Sequence, residues 1–165
     1  MKKEKDLAQQ RSMLETDSGQ APPDLERELH ALGLPVGERI LELLFYREKG
    51  NSSPCMGGKR EVKIINMLHF VNNQLWKSLF GKPADGLEQS MEDSNEYRIL
   101  DRTPVTNRFV NLQQPNVAYF IAGIIEGVFC ASKMDCRVVP HPVDDTTLFL
   151  VKFTDETIQR DEQLA

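Results

Sequence analysis

Cys130, Cys136 and His141 are the nearest approach to a ligand set in this chain. A structural zinc site needs four thiolate or imidazole donors at characteristic short spacings. Here the intervening gaps are five and four residues, they fit no common zinc pattern, and no fourth ligand stands near. Cys130 falls within an apolar run, where a free cysteine behaves as a small hydrophobe. Nucleophilic catalysis would need a base set against Ser or Cys, and the only histidines are His30, His69 and His141. His30 belongs to a solvated-looking helix, and His69 reads as a hydrogen-bonded packing residue. Asp144-Asp145 reads as a solvated turn. No Gly-x-Ser-x-Gly elbow, P-loop or Gly-x-Gly-x-x-Gly occurs. The residues therefore predict no catalytic group, no metal and no cofactor.

The elements that would position such groups are legible from punctuation and periodicity. Residues 1–23 are polar and end in Gly19-Gln20-Ala21-Pro22-Pro23, so they read as a mobile tail ahead of one domain over 24–165. Asp24 suits the N-cap of a helix over 25–32 closed by Gly33. Pro35 suits the start of a second helix over 36–48, stopped by Gly50. Asn51 to Gly58 is loop by composition. The spacing of Ile64, Leu68, Val71, Leu75 and Leu79 predicts a long helix over 60–80, with Ile65, His69, Trp76 and Phe80 on an adjoining face. Gly81 supplies its left-handed stop and Pro83 blocks continuation, after which a second short helix is expected near Ala84.

Strands are expected at 96–102, 107–112, 136–141 and 146–153. The run Leu148-Phe149-Leu150-Val151 is apolar on both faces, as in a central strand. A buried helix is expected over 116–131, where Ala118, Ala122, Gly123 and Gly127 permit close approach of a neighbouring backbone. A charged helix is expected from about 155. The fold class is α/β of the α+β type, a helix-rich domain with a twisted four-stranded antiparallel sheet.

Composition narrows the function classes. A net charge of −5 argues against nucleic acid as a partner and against docking on anionic lipid by charge alone. The longest apolar run, Val117 to Ala131, contains Glu126 and falls short of the roughly 20 residues a spanning helix needs. Any membrane association is therefore expected to be peripheral. The odd count of three cysteines, with no apolar signal region in residues 1–15, points to a reducing compartment. Leu25, Leu29 and Leu32, together with Ile40, Leu44 and Phe45, are too many apolar side chains for a solvated helix pair. They are expected to form an exposed partner interface. Trp76, the only tryptophan, reads as a packing residue that also anchors a neighbouring subunit.

Several separated segments, in order, resemble one family: Val36-Gly37-Glu38-Arg39-Ile40-Leu41 with Arg47-Glu48-Lys49-Gly50, the run from Trp76 to Gln89, Ala122-Gly123-Ile124-Ile125-Glu126, and Thr146 to Phe153. Across residues 34–162 the chain resembles the small core subunits of the transport protein particle (TRAPP), in their subunit-five branch. The resemblance implies a helix-rich α/β fold with a twisted four-stranded antiparallel sheet. It implies a non-catalytic subunit of a vesicle tether acting between the endoplasmic reticulum and the Golgi, whose assembled form promotes nucleotide exchange on a Rab-family GTPase. The implied neighbours are other small subunits, including a palmitoylated core subunit, and a longin-type subunit. The implied location is cytoplasmic and peripheral at the cis-Golgi and endoplasmic reticulum. No cysteine here stands in a motif that would carry an acyl chain. Members of the family carry a further apolar helix ahead of the region that begins here near Asp24, and residues 1–23 do not read as one. The competing reading from the fold is a stand-alone small-molecule sensor or carrier.

Overall fold

The structure is a computed structural model that describes residues 23–51, 63–103, 117–143 and 146–163. The expected strand at 107–112, the tail before Pro23, most of the 51–58 loop and the Asp144-Asp145 turn lie outside the described residues.

The two expected N-terminal helices are one. Helix α1 runs Pro23–Asn51 with Pro35 inside it. Gly33 and Pro35 are the local signals of a helix end, and an interior proline costs about 3 kcal/mol. Tertiary packing overrides them: Gly33 and Gly37 lie on the face pressed against a second helix, and Pro35 is exposed on the other side.

The next helix is α2 over Ile64–Phe70, a π-helical turn over Val71–Leu75, and α3 over Trp76–Phe80. A π turn inserts an extra residue into the repeat, which rotates the residues beyond it by roughly 100°. The expected stripe Ile64, Leu68, Val71 and Leu75 is buried, and the turn brings Trp76 inward beside Leu75. Ile65 and His69 of the adjoining face stay in solvent, so His69 is not the packing residue expected. The Asn72 carbonyl in the π turn accepts the Ala84 N–H at 2.8 Å, tying the helix to the chain beyond its end. Gly81 ends α3 in the left-handed conformation, at φ 78°.

Strand β1 (Gly86–Gln89) stands where a short helix was expected. Leu87 pairs with Ile99 and Gln89 with Tyr97, and this ladder outweighs the weak helical signal of Ala84 to Gln89. Strands β2 (Glu96–Asp101), β3 (Cys136–Val143) and β4 (Thr146–Phe153) complete an antiparallel sheet of order β1-β2-β4-β3. Helix α4 (Ala118–Ala131) lies between β2 and β3 in sequence, and α5 (Asp155–Gln163) comes after β4.

The inner face of the sheet carries Ile99, Phe149, Val151, Phe153 and Val138 into a core shared with Trp76, Leu75, Met67, Ile125 and Phe129. Trp76 meets Phe149 edge-on at 5.4 Å, and Phe129 meets Phe153 edge-on at 5.2 Å, the arrangement that aromatic quadrupoles favour.

No side chain near Lys63 caps α2. Instead Asp161 of α5, 97 residues away, accepts the Ile64 N–H at 2.8 Å. The carboxylate supplies both a hydrogen bond and a charge suited to the positive helix end. Asp161→Ala should lower stability by about 1 kcal/mol, seen as a melting temperature about 2–4 °C lower. Asp161→Asn, which keeps an acceptor, should lose less.

Candidate partner interface

Helix α1 lies along α4 in direct backbone contact. A Cβ built on Gly37 would stand 2.1 Å from the Ile124 carbonyl oxygen, and one on Gly33 2.3 Å from that of Phe120. In the other direction, a Cβ on Gly123 would stand 2.1 Å from the His30 carbonyl oxygen, and one on Gly127 2.2 Å from that of Leu34. Each helix therefore contributes two glycines four residues apart, and the four interlock. The expectation that Gly123 and Gly127 permit close approach holds. Gly33 and Gly37 are their counterparts on α1, although the local signal of Gly33 is that of a helix stop.

At one end of this seam the His30 ring nitrogen and the Glu126 carboxylate are 3.1 Å apart. The same Glu126 oxygen accepts the Val138 N–H at 2.9 Å. One half-buried carboxylate thus ties α1, α4 and β3 together. His30 is a structural partner on this geometry, not a solvated surface histidine.

Docking against α4 fixes which side of α1 faces out. Leu41 is buried, and Ile40, Leu44 and Phe45 are half-buried against the chain's own core, Phe45 stacking on Phe70 at 5.5 Å. Leu25 and Leu29 are half-buried as well. Leu32 is 61% exposed, Leu43 46% and Tyr46 77%. Leu32, Pro35, Arg39, Leu43 and Tyr46 are three or four residues apart and so share one outward stripe. Ile65 on α2 is also exposed. The geometry shifts the interface expectation: Leu32 remains outward, whereas Ile40, Leu44 and Phe45 already have intramolecular contacts. Leu43 and Tyr46, which apolar content alone does not single out, join Leu32 on the exposed side. Their signal lies in the face opposite Gly33 and Gly37.

Trp76 is not a surface anchor. It is fully buried, and its Nε1–H donates to Asp101 at 3.2 Å. Asp101, itself only 2% exposed, also accepts from Lys82 Nζ at 3.2 Å and from the Thr103 N–H at 3.2 Å. Partial burial opposes the Lys82 charge, but the carboxylates of Asp101 and Asp85 outweigh it and raise the ammonium pKa. The Arg102 backbone N–H, with Lys82 behind it, holds the Asp85 carboxyl below its usual range against partial desolvation. This network fixes the helix stop to the end of β2, so Trp76 can reach a partner only through packing.

The chemistry these groups could do is slight. Burial pushes the Cys130 thiol up, with the fields of Glu126 and Asp135 adding to it, and burial pushes Cys136 well above the thiol range. Thiols held protonated are poor nucleophiles and ligands. Among the described residues no group of His, Cys, Asp and Glu side chains could hold a metal, and no helix is long and apolar enough to cross a membrane. An open depression of about 390 Å³ between the β1–β2 turn and α5 is lined by Glu92, Asp93, Asn95, Asp155, Ile158 and Glu162, a polar lining. It lacks the enclosed apolar character of a ligand-carrying cavity.

Comparison with known proteins gives this surface a context. A family model described as "Transport protein particle (TRAPP) component" matches residues 10–154, reaching into the segment expected as a tail. The chain is 42% identical over 154 residues to trafficking protein particle complex subunit 5 of Dictyostelium discoideum, an alignment spanning 87% of this chain and 79% of that protein. It is 39% identical over 145 residues to the Homo sapiens subunit 5, spanning 86% of this chain and 73% of that one. In fold it is similar to a crystal structure of subunit 3 from Naegleria fowleri covalently bound to palmitic acid. The TM-score is 0.66 at 18% identity, covering 91% of this chain and 90% of the other. That likeness shows the α+β fold with its four-stranded antiparallel sheet.

Proposed function

This chain belongs to the TRAPP component family, in its subunit-five branch, and we propose that it serves as a non-catalytic core subunit whose α1 surface joins it to neighbouring subunits. The observation that carries this reading is the outward stripe of Leu32, Leu43 and Tyr46. Apolar and aromatic side chains presented on a rigid helix are the usual anchors of a lasting interface. The role proposed for the assembly is vesicle tethering between the endoplasmic reticulum and the Golgi, with nucleotide exchange on a Rab-family GTPase carried out by the assembled complex. The proposed partners are other small subunits, a palmitoylated core subunit among them, and a longin-type subunit. The proposed location is cytoplasmic and peripheral on those membranes. Reading residues 24–165 as the assembling domain, with a tail before it, belongs to the same proposal.

The stripe can be tested without disturbing the core. Leu43→Asp with Tyr46→Asp changes two exposed side chains. Their combined effect on the isolated chain should stay within about 1 kcal/mol. Hot-spot anchors cost about 2 kcal/mol or more each when lost, so recovery of other TRAPP subunits with the tagged variant should fall more than tenfold. Undiminished recovery would move the interface away from α1. Rab nucleotide release catalysed by the purified chain alone would contradict the non-catalytic assignment.

A further inference from the structure

We propose that the outer face of the sheet, away from the core and from α1, is a second docking surface that takes an amphipathic helix carrying acidic residues on one flank. Strand alternation places Leu100 of β2, Leu148 and Leu150 of β4 and Val139 of β3 on this face, all half-buried, opposite the buried Ile99, Phe149, Val151 and Val138. Register makes them neighbours: Leu100 lies opposite Leu148, and Leu150 opposite Val139. The patch crosses three strands, two spacings of about 4.8 Å. Its width is thus about 10 Å, the diameter of one helix with its side chains.

The β3 edge of the sheet is closed to strand addition, which favours docking on the face. Val138 turns its N–H outward to Glu126, so positions 136, 140 and 142 also face outward. Two of these are Pro140 and Pro142, which have no N–H to offer an added strand.

Charge selects the helix. On this face Arg137 is directly opposite Lys152, a like-charge pair that is unfavourable by itself. Lys152 turns away to Asp93 at 2.9 Å and lies opposite Glu96, while Arg98 lies opposite Glu88 and is 3.6 Å from Glu96, so these two cations are already answered. Among the described residues no carboxylate pairs with Arg137. A carboxylate on the flank of an incoming helix would pair with Arg137, while its apolar side covers Leu148, Leu150, Leu100 and Val139.

The test places a photo-cross-linking amino acid at Val139 or at Leu150 of the tagged full chain in cells and maps the products by peptide mass spectrometry. The expected products lie within two or three turns of one helix of another polypeptide. Their spacing should be three, four or seven residues, with Asp or Glu along one flank. Arg137→Glu with Lys152→Glu should cut the yield about tenfold or more and leave the melting temperature within a few degrees of the parent. No product, products with a second copy of this chain, products on an extended or basic segment, or a yield indifferent to the charge reversal would each overturn the proposal. Cross-links at these positions read the sheet face alone, so the outcome is separate from that of the α1 stripe.

Discussion

Gly37→Ala or Gly127→Ala should destabilise the domain by about 3 kcal/mol or more, at the upper end of what overpacking costs. A single methyl is a small change, and in most helices Gly→Ala is favourable by about 0.5–1 kcal/mol. Here the added Cβ would stand 2.1 Å from the Ile124 oxygen in one case and 2.2 Å from the Leu34 oxygen in the other. The obstacle is backbone on a helix, so no rotamer change relieves it and α1 must move away from α4. That movement strains the His30–Glu126 contact and, through Glu126, the hold on Val138. A thermal melt should show a fall of about 6–12 °C. Gly81→Ala is the control: Gly81 has nothing within 4 Å of its would-be Cβ but sits at φ 78°. It should cost only the left-handed backbone penalty of about 1–2 kcal/mol. Equal losses at Gly37 and Gly81 would show that the seam between α1 and α4 is loose.

Trp76→Ala should cost about 3–5 kcal/mol, a large part of a total stability of about 5–15 kcal/mol. Two losses combine. The ring leaves a cavity beside Phe149 and Phe80, and the buried Asp101 carboxylate loses one of its donors. Trp76→Phe separates them, because it keeps an aromatic ring while removing the N–H. A bond to a charged group contributes about 1.5–3 kcal/mol, so Phe should recover roughly half of the stability lost in Ala. Subunit recovery should track stability across Trp, Phe and Ala, since Trp76 does not touch solvent. A variant that melts like the parent yet fails to assemble would return Trp76 to the interface.

Much of this fold is legible in residue order. The spacing of Ile64, Leu68, Val71 and Leu75 marks a buried helix face, the small residues of α4 mark a close approach, and Leu148 to Val151 mark a central strand. The features that local signals miss have a common cause. Gly33 and Pro35 carry the signature of a helix end, and only α4, some 90 residues later in the chain, turns them into an interior contact. Trp76 sits where an unbroken helix would place it on a second face, and the π turn alters that count. Strand β1 is short and lacks alternation, so its identity depends on its pairing with β2. For the interface, apolar content picks out the right helix but not the right side of it. Which leucines face out depends on where the glycines are pressed in.

Whether this chain works as a subunit of a larger assembly is decided by affinity purification of the tagged full chain under gentle conditions, with the co-purifying proteins quantified by mass spectrometry. Other small TRAPP subunits should be recovered in near-stoichiometric amounts, co-migrating with the chain well above its own 18.8 kDa. A monodisperse chain recovered at its own mass, with no such subunits above background, would contradict the subunit role.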